Sequence, residues 1–257
     1  MPRLLSIWPL SFLAAGGLFG LFSGVPSLPA DHDGLCRIER AGGVEYIVCD
    51  VPLSRYRIAL RAEDAAGEPY GTFDKAAASL GDAPVRLIMN AGMYHEDRRP
   101  VGLAVQDGRK LKDAVTGAGT GNFSMHPNGI FYIEDGRAHV AETGRYRAGR
   151  HRPELATQSG PMLLVDGKLH PRFIEGSDSR YVRNGVCAGD EGRTVHLVLS
   201  RSPVNFWDFA VVFRDRLGCR DALFFDGHVS SLLYPAGGID YRRDRLGPML
   251  VVTDRAG

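Results

Sequence analysis

The sequence predicts a single α+β domain, with a strand-rich, mixed sheet core built from hairpins and two or more helices packed against it. Three observations lead there. Asp-Gly pairs punctuate three apolar or alternating stretches, two near-continuous apolar runs end abruptly in a polar residue and glycine, and two segments carry helical periodicity. At 257 residues the chain is long enough to bury one large core. Its 31 Lys and Arg nearly balance its 30 Asp and Glu, with no basic block. The electrostatic footprint that binding to a phosphate backbone requires is missing, so nucleic acid is not an expected partner.

Taken in order, the chain opens with Arg3, an apolar stretch from Leu4 to about Val25, and then small residues and proline. That order predicts a signal peptide over residues 1–30, cleaved near Ala30, with an N-terminal membrane anchor as the alternative. Residues 31–257 would then form the folded domain, outside the cytoplasm, in the periplasm or beyond it. Four cysteines fall in that part: Cys36, Cys49, Cys187 and Cys219. They allow three pairings, and an oxidising compartment favours disulfides; Cys36 with Cys49 would close a short loop.

In "TFDKAAASLG", Thr72 can cap a helix whose apolar face is Phe73, Ala76, Ala77 and Leu80, with Gly81 as its stop. The run "VRLIMNAGMY" reads as a strand covered on both faces that breaks at Asn90, Ala91 and Gly92. "VGLAVQDGRKL", "NGIFYIEDGRAHV" and "PMLLVDGKLH" are hairpins, because glycine supplies the positive φ of a two-residue turn. Segments 145–152 and 176–180 read as exposed loops. A second helix in "SPVNFWDFAVVFRDRLGC" aligns Phe206, Phe209, Ala210, Phe213 and Leu217, with Asp208 near its start and Arg214 and Arg216 near its end, as the helix dipole favours. It feeds the strand "ALFFDG", which delivers Asp226 at its carboxyl end. Two covered strands that end in a polar residue and glycine suggest one shared site.

The runs "NAGMYHEDRRPVGLAVQDGRKL", "GNFSMHPNGIFYI", "ATQSGPMLLVDGKLHPRF", "VRNGV" and "VNFWDFAVVFRDRLGCRDALFFDGHVSSLLYP" together resemble the phosphodiester glycosidase domain family, uncovering-enzyme-like and closest to its secreted bacterial branch. The resemblance extends from about Cys36 to the end of the chain. It implies a hydrolase that cleaves a sugar-1-phosphodiester, the glycosidic bond to phosphate, in an exported glycoconjugate of the envelope or an exopolysaccharide. The family's Asn-(Gly or Ala)-Gly matches Asn90, Ala91 and Gly92; its Ser-Gly-Pro matches Ser159, Gly160 and Pro161; its Arg-(Thr or Asn) matches Arg183 and Asn184. Its Asp-Gly-Gly-Gly-Ser run departs here, reading Asp226, Gly227, His228, Val229, Ser230. With histidine and valine in place of two glycines, the backbone approaches a ligand less closely.

Phosphate leaves an anomeric carbon more readily than an alcohol does, so the site must hold the phosphate and stabilise an oxocarbenium-like centre. Asp226 is the expected carboxylate, as nucleophile, general base or electrostatic stabiliser; the plainer reading is an Asp that opens a turn by binding its own backbone. Arg183 is the expected phosphate ligand, its planar fork able to hold two oxygens, against the plainer reading of a surface arginine. Asn90 and Asn184 can bind sugar hydroxyls, while Gly92 and Gly227 open backbone access. Ser159 and Gly160 come with the family match; Ser230, and less so Ser231, can donate to phosphate. His126, Asn128 and His95 are candidate acid-base or substrate contacts, although a lone histidine is more often structural. No G-x-S-x-G elbow supports a serine hydrolase. No cofactor is expected and no metal-ligand spacing occurs, with a divalent cation at Asp226 and His228 left open. The partner is a glycan or glycolipid bearing phosphate, with a membrane tether through the N-terminal segment as an option. A non-catalytic glycan-binding module of the envelope, or a scaffold without a ligand, is the alternative.

Overall fold

Alternation within the apolar strands sets the architecture, because each strand sends successive side chains to opposite faces and here both faces are covered. A computed structural model describes residues 34–117, 121–243 and 245–255; the expected signal or anchor segment lies outside them. Three sheets result. The first runs β1 (Cys36–Ala41), β2 (Val44–Pro52), β13 (Thr194–Ser200), β12 (Asn184–Gly189), β14 (Ala222–Asp226), β10 (Met162–Val165) and β11 (Lys168–Leu169). The second runs β16 (Ile239–Tyr241), β15 (Leu232–Tyr234), β4 (Val85–Asn90), β17 (Met249–Asp254) and β3 (Tyr56–Arg61). The third runs β6 (Arg109–Lys112), β5 (Ala104–Gln106), β9 (Leu155–Ser159), β7 (Gly129–Glu134) and β8 (Arg137–Glu142).

The inner faces meet in one core. Leu87 and Met89 of β4, Phe131 of β7, and Val186, Leu223 and Phe225 of β12 and β14 belong to the same buried cluster. Each outer face is covered by one short helix. Phe224 packs outward beneath α3 (Phe206–Val211) with Phe209 and Phe213. Ile88, Met249 and Val251 lie under α1 (Phe73–Ala78) through Phe73 and Ala76. Ile130 and Tyr132 lie beside Tyr146 of α2 (Thr143–Ala148).

The three Asp-Gly hairpins form as expected, with both turn residues at positive φ: Asp107 and Gly108, Asp135 and Gly136, Asp166 and Gly167. Thr72 caps α1, its side chain accepting from Lys75 N at 3.3 Å. The second predicted helix is α3, capped by Asn205 and continued by a π-helical turn over Val212–Arg216.

Two expectations change. The sheet core is not mixed: every pairing between the named strands is antiparallel. The continuous apolar runs reflect burial on both faces, the shared core on one side and a helix on the other, a condition that antiparallel strands meet equally well. Segment 145–152 is not all loop, since its first residues belong to α2, capped by Glu142, whose carboxylate accepts from Arg145 N at 3.0 Å. A six-residue helix that contains Gly144, ends at Gly149 and carries a single large apolar side chain leaves no periodicity to detect.

Cys36 pairs with Cys49 across the β1–β2 ladder, and Cys187 with Cys219. Two disulfides suggest an oxidising, exported environment. Among the described residues, no helix is long and apolar enough to cross a membrane.

Candidate active site

Asp226 and Asn184 stand opposite each other in the β12–β14 register, so the end of one strand meets the start of the next. Asn90, at the end of β4, joins them from the second sheet. Asn184 Nδ2 donates to the backbone oxygen and to Oδ1 of Asn90, both at 2.9 Å, and Ser231 N donates to the same Oδ1 at 2.7 Å. Ser230 Oγ, with one proton to donate, lies 2.8 Å from Val182 O, 3.0 Å from Asp226 O and 3.3 Å from Asn184 Oδ1. This buried network ties two sheets together directly behind the carboxylate; Asn90 Nδ2 is buried with no acceptor.

In front of the network lies a cavity of about 410 Å³. Asp226, Gly227, His228, Arg183, Tyr94 and Tyr181 line it, together with Asn122 and Phe206. Among the described residues, Asp226 is its only carboxylate and His228 its only histidine. Asp226 Oδ1 accepts from the backbone N–H groups of His228 at 2.5 Å and Val229 at 2.6 Å. The turn-forming reading of Asp226 is therefore part of the answer, because the same turn points its carboxyl at the cavity. Burial raises its pKa above the usual carboxylate range, opposed by the turn's N–H groups and by His228.

Arg183 is the largest fully buried side chain, 1% exposed. Its Nε donates to Val204 O at 2.8 Å and its Nη2 to Ser179 O at 3.0 Å. Nη1 has no partner. The guanidinium lies 3.7 Å from the Phe206 ring centre and 5.4 Å from those of Tyr181 and Phe224. No carboxylate forms an ion pair with it among the described residues, and burial pulls its pKa down to about 10. A cation is thus held dry by neutral carbonyls and aromatic faces, with one nitrogen uncommitted. The expected two-oxygen fork is reduced, since Nε and Nη2 already serve the chain. Nη1 lies 3.5 Å from where a Cβ on Gly227 would stand.

The other expected residues lie outside the cavity wall. Gly92 precedes Met93 and Tyr94 on the wall, and its φ of +84° admits no side chain: a Cβ would fall 2.4 Å from Thr157 Oγ1. Ser159 Oγ donates to Phe225 O at 3.2 Å. Gly160 packs on Asn128 and Phe123, and Asn128 Nδ2 donates to Phe123 O at 3.0 Å. Both brace the turn over Asn122–Ser124, whose first residue reaches the wall. His126 and His95 are exposed; the carbonyl of His126 accepts from His170 Nε2 at 2.9 Å. Ser231 is buried in the network behind Asp226.

Sequence reasoning missed Tyr94, Tyr181, Asn122 and Phe206 as wall residues. Tyr181 had a signal in its position, two residues before Arg183 and so on the same side of an extended chain. Tyr94 is held above its ordinary pKa by burial and by the charge of Asp226. Among the described residues, no group of three or more His, Cys, Asp or Glu could hold a metal ion.

A family model described as phosphodiester glycosidase matches residues 83–252, which include every cavity residue named above. The chain belongs to the phosphodiester glycosidase family. It is 31% identical over 188 residues to the protein YigE of Escherichia coli K12, covering 73% of each chain. Its fold is similar to that of a zebrafish N-acetylglucosamine-1-phosphodiester alpha-N-acetylglucosaminidase catalytic domain that is auto-inhibited by its pro-peptide, with a TM-score of 0.61, 12% identity and coverage of 86% of this chain and 82% of that one. A hypothetical protein from Synechocystis gives a TM-score of 0.51 at 14% identity, over 86% of this chain and 61% of that one.

Proposed function

We propose that this phosphodiester glycosidase hydrolyses a sugar-1-phosphodiester in an exported glycoconjugate, an envelope or exopolysaccharide component. The observation that carries the reading is the guanidinium of Arg183, buried without an ion pair and with Nη1 unpartnered, in the same cavity as the carboxylate of Asp226. Burying a cation without a counter-ion is costly, and an incoming phosphate would supply the missing charge. Nη1 then donates to the phosphodiester oxygens, stabilising the negative charge that grows as the anomeric C–O bond breaks. Asp226 faces the anomeric centre and either stabilises its developing positive charge or takes the proton of the attacking water.

The departing group is a phosphate monoester, which leaves without a strong acid, and this fits a cavity wall that carries no second carboxylate among the described residues. Tyr94, Tyr181 and His228 would contact the sugar and the rest of the aglycone. Asn90, Asn184, Ser230 and Ser231 act as positioning residues, holding the two strand ends in register. The similarity to the zebrafish catalytic domain makes an N-acetylglucosamine-1-phosphodiester the first substrate to try.

The test is purified protein on aryl and nucleotide sugar-1-phosphodiesters, beside Asp226→Asn. Released sugar from the wild type and none from the variant supports the reading. Binding without released sugar in both would make the chain a glycan-binding module.

A further inference from the structure

A second cavity, of about 770 Å³, opens on the outer face of the third sheet, between the β5–β6 hairpin, α2 and the segment that follows it. That size suits a small organic ligand, typically held in ~300–1,000 Å³. Leu103, Val105 and Pro153 give it an apolar base. Tyr146 and His151 form part of its wall and stack on each other, ring centres 4.3 Å apart and planes 14° apart, with Tyr132 edge-on to both. Glu134 Oε2 fixes the imidazole through Nδ1 at 2.9 Å. The ring leans over Gly149, where a Cβ would fall 2.4 Å from Nε2. The stacked pair therefore depends on a bare Cα at that position.

Charge on the rim is one-sided. Lys110 is neutralised by Asp113 at 2.5 Å, and Arg145, nearby on α2, is tied to Asp166 at 2.5 Å. Arg147 and Arg152 are exposed on the same cavity, and among the described residues neither side chain meets a carboxylate or other acceptor. An aromatic platform beside two uncommitted guanidiniums matches a ring with one apolar face and an acidic substituent.

We propose that this cavity is a second carbohydrate site, one that takes an acidic saccharide. The sugar ring lies against Tyr146 and His151, and its carboxylate or phosphate meets Arg147 and Arg152. The site is separate from the candidate active site, and its occupancy does not depend on turnover there. Asp113 and Ala114 line this cavity, while Gly121 and Asn122 line the other.

Isothermal titration of the full chain with oligogalacturonate, a phosphorylated mannan oligosaccharide and neutral dextran, at low and high salt, tests this. At least one acidic probe should bind, more weakly as salt rises, and dextran should not. Arg147→Ala with Arg152→Ala should weaken binding about tenfold, the loss of two solvent-facing charge contacts. Gly149→Ala should weaken it independently by displacing His151. Asp226→Asn should bind as the wild type does, which keeps this outcome separate from the fate of the active-site reading. Equal binding by the double-arginine variant, equal binding of dextran, loss of binding in Asp226→Asn, or no binding of any acidic probe would overturn the proposal.

Discussion

Replacing Arg183 with methionine separates a functional cation from a structural one. Burial holds the pKa of the guanidinium at about 10, well below its ordinary value, which corresponds to about 3 kcal/mol spent on holding its charge away from water. Below pH 10 the group is charged in the folded and unfolded chain alike, so at pH 7 that penalty is present in full, and it is relieved only as pH rises beyond 10. Methionine removes it. Against that gain stand the buried carbonyl of Val204, left without its side-chain donor at a cost of about 1–3 kcal/mol, and the contact with Phe206, about 1–2 kcal/mol.

The two sides nearly cancel, and stability should change by no more than about 2 kcal/mol. Breaking a buried ion pair costs about 3–5 kcal/mol because the partner charge is stranded, and here Asp226 acts on the guanidinium across the cavity without forming a pair. Loss of the one uncommitted donor should nevertheless lower kcat/KM on a sugar-1-phosphodiester by about 10²- to 10³-fold. Urea unfolding and steady-state kinetics on the same preparation decide it. A loss of stability above about 4 kcal/mol, with kcat/KM following only the folded fraction, would refute the reasoning.

Three further outcomes follow from the same geometry. Asp226→Asn should abolish turnover yet keep Oδ1 as acceptor for the His228 and Val229 N–H groups. Because burial raises the pKa of Asp226, its stabilising contribution is lost as pH rises through the folded value; the variant should melt no lower than wild type at pH 7, and the gap should close in acid. The acid limb of kcat/KM should accordingly lie above the ordinary carboxylate range, as measured by a pH-rate profile. Gly227→Ala meets only ordinary contacts, 3.4 Å to Phe224 and Tyr181 and 3.5 Å to Nη1, so an unchanged Tm with reduced kcat/KM is expected. Removing the Cys187–Cys219 bridge, with a separation of 32 residues, should cost about 3.7 kcal/mol, and removing Cys36–Cys49, with 13, about 2.9; the opposite order in urea unfolding would count against the loop-entropy account.

Local signals announced the three Asp-Gly hairpins, the strands β4 and β14, and the helices α1 and α3. Each Asp-Gly hairpin was legible because a two-residue turn demands φ values that only a few residue types tolerate, and Thr72 because a cap is a contact three residues long. The antiparallel order was not, since an apolar run reports that both faces are covered and says nothing of strand direction. Arg183 and Asp226 were visible as residues through the family motifs. Their state was not: nothing in "SRYVRNGV" says that Ser179 and Val204 would occupy two nitrogens and leave the third dry.

What the sequence alone determined is where the chain must turn and which motif residues stand as candidates for the site, because both depend on side-chain type and near neighbours. Only the tertiary structure decided that Asn90 and Asn184 would bind each other behind the wall, while Tyr94 and Tyr181 came forward onto it. Those pairings join residues about ninety positions apart, and their partners are chosen by how three sheets close on one core. No local rule reaches that far.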